Sequence, residues 1–138
     1  MRAEEVGLRY LTTAAQLRRT VDEHLADTGV SLARTKILRL LADRGPLKQA
    51  QLAAELGMAP RSITQAVETM ERDGLLHRSE DTGDRRAKVV TVTDQGAAAL
   101  AAGEAAGDEL LRRTFRRLTP DQLAALADML DMIAAELP

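Results

Sequence analysis

Cysteine is absent from this 138-residue chain, and its aromatic side chains are reduced to one tyrosine and one phenylalanine. Without thiols the chain forms no disulfide, no thiolate metal site and no cysteine-based redox sensor. With so few rings, the core must be built from Leu, Val, Ile and Met. Histidine is scarce as well: His24 and His77 fall on separate predicted elements and are too few for a convincing metal cluster. No apolar run is long enough to span a bilayer. The residues after Met1 also lack the charged start, apolar stretch and small-residue cleavage site of a secretory signal. A soluble, cytoplasmic chain without membrane contact is expected. No Gly-rich phosphate loop and no nucleophile, base and orienter at workable positions can be found, so neither an enzyme nor a cofactor is expected.

What is present favours helices. Hydrophobic residues make up 45% of the chain and charged residues 29%, much of the former being Ala and Leu, which suits helices with one buried face. The net charge of -2 argues against a nucleic-acid partner until its distribution is considered. Residues 31 to 61 carry six bases (Arg34, Lys36, Arg39, Arg44, Lys48, Arg61) against Asp43 and Glu55, about +4. Residues 92 to 138 come to about -4. A basic segment beside an acidic tail suits a protein that shows DNA one face only.

Apolar residues recur at helical steps over residues 4 to 27 (Leu8, Leu11, Ala14, Leu17, Val21, Leu25). Ser31 is a good N-cap for a second helix to about Asp43, closed by Gly45-Pro46. Two short helices follow: Lys48 to Leu56, stopped by Gly57, and Pro60 to Arg72, stopped by Asp73-Gly74. Helix, glycine turn, helix is the helix-turn-helix pattern. The period then changes. Leu75 to Glu80 and Ala87 to Val92 read as strands around the turn Asp81-Thr82-Gly83-Asp84. A hairpin in that position is a wing, and its tip carries Arg85 and Arg86. Thr93 caps a long helix to about Arg117, and Thr119-Pro120-Asp121-Gln122 opens the last one with a capping box.

The chain therefore reads as mainly α (α+β), a winged helix-turn-helix with dimerisation helices at both ends. Residues 1–30 and 94–138 form the dimerisation part, and residues 31–93 the DNA-binding region. On the helix from Pro60, Ile63, Val67 and Met70 share one side, while Arg61, Gln65, Glu68 and Arg72 lie opposite, flanked by Ser62 and Thr64. A major groove admits one helix, and its base edges suit Arg, Gln, Ser and Thr. Arg61, Ser62, Thr64 and Gln65 are the candidate base readers, with Glu68 as an acceptor for cytosine. An arginine at the wing tip, Arg86, suits the narrow minor groove. Asp84 is expected to orient its guanidinium by a charge-assisted hydrogen bond; Arg85, Lys88 and Lys48 complete the predicted DNA-binding set. Leu8, Leu11 and Leu17 at one end, and Phe115, Leu118, Leu123, Leu126, Leu130 and Ile133 at the other, are stripes that a small head cannot cover, which predicts a homodimer. Gly103 and Gly107 sit inside the long helix, where each costs about 1 kcal/mol against alanine; they are expected to let it bend or approach another helix closely. A winged-helix dimer serving as a protein-interaction module without DNA is the alternative.

Several of these pieces stand in register. Leu52-Ala53, Leu56-Gly57, Pro60-Arg61-Ser62-Ile63-Thr64, Asp73-Gly74-Leu75-Leu76, Arg78, Asp84-Arg85-Arg86-Ala87, and Val92-Thr93 with Gly96 occur in the order and spacing of the multiple-antibiotic-resistance regulator (MarR) family, which the chain resembles over nearly its whole length. The resemblance implies a homodimeric transcription regulator, a repressor, on double-stranded DNA with a palindromic operator. It also implies that Ser62, Thr64 and Gln65 read bases and that Arg86 enters the minor groove. Gln65 departs from the pattern, since a basic residue is frequent there. Family members often release DNA when a small aromatic or phenolic effector fills the crevice between dimer and DNA-binding regions. Tyr10 and His24 on the first helix read more simply as packing or polar tips.

Overall fold

The computed structural model describes residues 1–138 in six helices and three short strands. Helix α1 spans Ala3–Leu25 and buries only Val21 and Leu25, in its last turns. A 3-10 turn, Ala26–Thr28, leads to α2, Leu32–Arg44, whose N-cap Ser31 accepts a hydrogen bond from the Arg34 backbone N–H at 3.2 Å. Strand β1 (Leu47–Lys48) precedes α3 (Gln49–Leu56) and α4 (Pro60–Arg72). Strands β2 (Leu76–Glu80) and β3 (Lys88–Val92) form the hairpin, followed by α5 (Asp94–Phe115) and α6 (Pro120–Ala135). No helix is long and apolar enough to cross a membrane.

Strand β1 is a departure from the sequence reading, which placed Lys48 at a helix start and saw only two strands. Leu47 pairs with Val90 and Lys48 with Val89, so the antiparallel sheet has the order β1-β3-β2. Two residues give no readable alternation; the partner strand, not local propensity, makes them a strand. The hairpin register runs from Leu76 opposite Val92 to Glu80 opposite Lys88.

The chain divides into two compact units, Met1–Gly107 and Asp108–Pro138. In the first, Leu38, Leu52, Val67, Met70 and Val90 are all fully buried, joined by Ile37, Ile63 and Leu100. This core holds no aromatic ring. Each such side chain contributes about 1.5–3 kcal/mol by leaving water, so it holds the helix-turn-helix against the sheet and α5. The turn between α3 and α4 passes through Gly57 at φ 64°, a left-handed conformation that glycine adopts without penalty. In the second unit, the Thr119 hydroxyl accepts from the Gln122 N–H at 3.2 Å and the Gln122 side chain accepts from the Thr119 N–H at 2.9 Å. The predicted capping box forms.

The start of α5 explains the Thr-x-x-Gly sequence. Thr93 donates its hydroxyl to the Gly74 carbonyl at 2.6 Å and accepts from the Gly96 N–H at 3.0 Å. A Cβ at Gly96 would sit 2.1 Å from the Leu75 carbonyl oxygen, so only glycine lets the helix approach this closely. Gly103 is also buried, but a Cβ there would meet Val30 and Thr35 at 3.6 Å, an ordinary contact; at Gly107 it would meet nothing within 4 Å. Close approach is thus enforced at Gly96 and not at the two glycines the sequence singled out. Gly96→Ala is expected to lower stability by about 1–3 kcal/mol, as overpacking does. Gly107→Ala, by the same urea denaturation, should be neutral or gain up to about 1 kcal/mol from helix propensity.

Candidate nucleic-acid interface

Helix α4 has a sharply divided surface. Ile63, Val67 and Met70 are buried, whereas Arg61, Ser62, Gln65, Glu68 and Arg72 are exposed. Thr64 lies at the boundary, half-buried. Its hydroxyl donates to the Pro60 carbonyl at 2.9 Å and accepts from the Gln49 side-chain amide at 2.7 Å, tying α4 to the first turn of α3. The exposed face of α4 carries no ion pair at Arg61 or Arg72.

The wing is closed by local bonds. The Asp81 N–H donates to the Ala87 carbonyl and the Ala87 N–H to the Asp84 carbonyl, both at 3.0 Å. Arg85 and Arg86 therefore occupy the two central positions of a tight turn, and both are exposed. At the base of the wing, Arg78 reaches back to α4. Its Nε and Nη2 donate to Glu71 Oε1 at 3.2 and 3.1 Å, and its backbone N–H donates to Glu71 Oε2 at 2.9 Å. Strand β2 lies at the sheet edge, where an outward N–H needs a partner from outside the sheet. Glu71 provides it. Arg78 Nη1 is also 3.7 Å from Glu68. The wing and α4 are thus joined by a charge-assisted, partly buried clamp.

A protein-family model described as the MarR family matches residues 30–88. The HTH-type transcriptional repressor Rv2887 of Mycobacterium tuberculosis is 26% identical over 97% of this chain and 98% of its own length. YkoM of Bacillus subtilis, an HTH-type transcriptional regulator, is 29% identical over 86% of this chain and 79% of its own. Among solved structures, Sco3205, a MarR-family transcriptional regulator from Streptomyces coelicolor in complex with DNA, superimposes with a TM-score of 0.83. It is 27% identical, over 97% of this chain and 88% of that one. Residues 30–88 are a MarR-family domain.

Within this MarR-family head the structure changes several roles expected from the sequence. Asp84 does not hold the Arg86 guanidinium; its carboxylate accepts from the Arg86 backbone N–H at 2.9 Å. A short side chain in a tight turn meets the amide two residues on before it can reach a long side chain's tip. Glu68 faces Arg78 and not only solvent. Lys48 pairs with Asp81 at 3.8 Å and Lys88 with Glu80 at 3.9 Å, which ties both to the wing. The basic character of residues 31 to 61 is largely neutralised in space. Arg34 pairs with Asp73 at 2.8 Å, Arg44 with Glu55 at 2.7 Å, and Arg39 with Asp43 at 3.0 Å and also with Glu104. Arg61, Arg72, Arg85 and Arg86 keep their charge unpaired and exposed. Gln49 and Glu71 were missed by sequence reasoning, because their roles rest on partners in other elements.

The predicted dimerisation residues fall in both units. Leu8 and Leu11 are exposed on α1 and Leu17 is half-buried; in the second unit Leu123, Leu130 and Ile133 are exposed and Phe115, Leu118 and Leu126 half-buried.

The three bonds from Arg78, the backbone N–H first, hold the Glu71 carboxyl below the ordinary carboxylate range. A depressed folded-state value stabilises the fold above that range, and the contribution is lost as pH falls through it. Glu71→Gln is therefore expected to lower stability by about 1 kcal/mol at neutral pH. The gap between variant and wild type should narrow in urea denaturation as pH falls below the ordinary carboxylate range.

Proposed function

We propose that the chain is a sequence-specific DNA-binding transcription regulator, a homodimeric repressor that acts in the cytoplasm on a palindromic operator. The observation that carries this reading is where unpaired positive charge remains. Most bases of residues 31 to 61 are spent on ion pairs, while Arg61 and Arg72 on the outer face of α4 and Arg85 and Arg86 at the wing tip are left free. A helix with Arg61, Ser62 and Gln65 outward suits a major groove, and an arginine-tipped turn suits the adjacent minor groove. The names of Rv2887, a repressor, and of Sco3205, solved with DNA, support the same reading.

The two-fold partner covers the terminal helices. Val6, Leu8 and Leu11 of α1, and Leu123, Met129, Leu130 and Ile133 of α6, are apolar and at least 36% exposed in the single chain, and each helix thus carries an apolar stripe of the kind that marks an interaction site. Residues 1–30 and 94–138 then form the dimer, and the heads (31–93) meet half-sites about one helical turn apart. A crevice of about 240 Å³ between α1, α2 and α3 supports an effector site. Arg18 and Lys36 stand at its wall without ion-pair partners, over Leu32, Leu56 and Met58. Its Asp22 is engaged with the Leu32 N–H at 2.9 Å. A small aromatic ring bearing a carboxylate or phenolate matches that chemistry. Tyr10 and His24 do not line it.

Selecting bound fragments from a genomic DNA pool, then titrating salt against the best of them, tests the reading. A steep loss of affinity with salt is expected from phosphate contacts. A protein-interaction module would bind no fragment and show no salt slope. Arg86→Ala should weaken operator binding by about 1–3 kcal/mol with circular dichroism unchanged. Leu130→Asp with Ile133→Asp should yield a monomer in sedimentation and abolish tight operator binding.

A further inference from the structure

Thr64 was expected to read a base, but its hydroxyl has no proton left to donate. A threonine hydroxyl has one proton to donate and two lone pairs. The proton goes to the Pro60 carbonyl at 2.9 Å, and one lone pair accepts from Gln49 Nε2 at 2.7 Å. Gln49 Oε1 is buried without a hydrogen-bond partner. Turning the Gln49 amide over changes the sense of the contact and not its consequence, since the Thr64 hydroxyl would then donate to Gln49 Oε1. Either way the oxygen is held within the protein, between α3 and its own helix. With its proton spent, the hydroxyl has nothing to donate to thymine O4, and thymine has no major-groove donor for the remaining lone pair, so the γ-methyl is the group this side chain has for that base.

The surroundings of Thr64 are also carbon-rich. The concavity of about 460 Å³ between α3, α4 and the wing is lined by Ala50, Ala53, Pro60 and Ile63 beside it. Within an otherwise polar recognition face, this corner offers a base edge an apolar surface. Thymine alone among the four bases displays a methyl group in the major groove.

We infer that Thr64, locked by Gln49 and Pro60, is a specificity-determining residue that selects thymine through methyl–methyl contact and donates no hydrogen bond to the base. Gln49 is the positioning residue that fixes this orientation. The inference rests on the DNA-binding reading above and deepens it.

The test uses a selected operator duplex in which each thymine is replaced in turn by deoxyuridine, a change that removes the C5 methyl and keeps every hydrogen-bonding group. Wild-type protein should lose about fourfold in affinity at one thymine per half-site, the effect of one buried methyl. Thr64→Val keeps the methyl and should retain that loss. Thr64→Ser keeps only the hydroxyl and should bind the thymine and deoxyuridine duplexes equally. If no deoxyuridine substitution weakens wild-type binding, or if Thr64→Ser keeps the full deoxyuridine effect, the inference is overturned. The first arm needs no variant, so misfolding cannot mask the answer. Failure to select any duplex would overturn the DNA-binding reading itself, a result distinct from normal binding without methyl sensitivity.

Discussion

The seating of α4 on its apolar side decides most of what this molecule presents to its surroundings. Ile63, Val67 and Met70 recur at helical spacing and are almost wholly removed from water against Leu38 and Leu52. Rotating the helix by one residue, about 100°, would draw Thr64 and Glu68 inward. That would desolvate polar groups at a cost of several kcal/mol each. The outward placement of Arg61, Gln65 and Arg72 is thus the complement of what the core demands. Thr64 sits where the two surfaces meet, and it is there that a hydroxyl needs an internal partner. Gln49 meets that need from α3.

Charge is used in two ways. Arg34–Asp73, Arg44–Glu55 and Arg78–Glu71 each join different elements: α2 to the end of α4, α2 to α3, and β2 to α4. Exposed pairs of this kind contribute little stability, about 0–1 kcal/mol, but they fix how the elements of the head sit against one another. Arginines outside this set, at the face of α4 and the wing tip, keep their full charge for an anionic partner. A chain of net charge -2 can therefore present a positive surface without being basic as a whole.

Legibility in the sequence followed the range of the interaction. Pro60 at a helix start and the Thr119–Gln122 box are decided within a few residues, and the structure keeps both; the hairpin reverses where the sequence placed it, but its hydrogen-bonded turn is Asp84–Ala87 and not Asp81–Asp84. Strand β1 exists only because Val89 and Val90 lie beside it, more than forty residues on in the chain, so no window around Leu47 could reveal it. Counting charges along residues 31 to 61 failed for the same reason, since Arg34 meets Asp73 and Arg39 meets Glu104. The clamp between Glu71 and Arg78 spans seven residues across a helix end and a strand, a separation with no helical or strand periodicity. Asp84 was misassigned on a finer scale. Its residue type was read correctly as polar turn chemistry, but whether it would bond a backbone amide or a guanidinium depends on turn geometry that composition does not carry.

These constraints also bear on how the proposed regulator would respond to a ligand. The Thr64–Gln49 bond joins α4 to α3, the Arg78–Glu71 clamp joins α4 to the wing, and the Leu47–Val90 pairing joins the base of α3 to the sheet. Residues 47 to 93 are therefore cross-linked on several sides. A ligand acting within that region would have to break such bonds to alter the reading surface. The crevice lined by Arg18, Lys36 and Met58 lies instead where α1 meets the head, and α1 buries little else against it beyond Val21 and Leu25. Under the proposed reading, an occupant there would act on the seating of α1 and leave the bonds within the head intact.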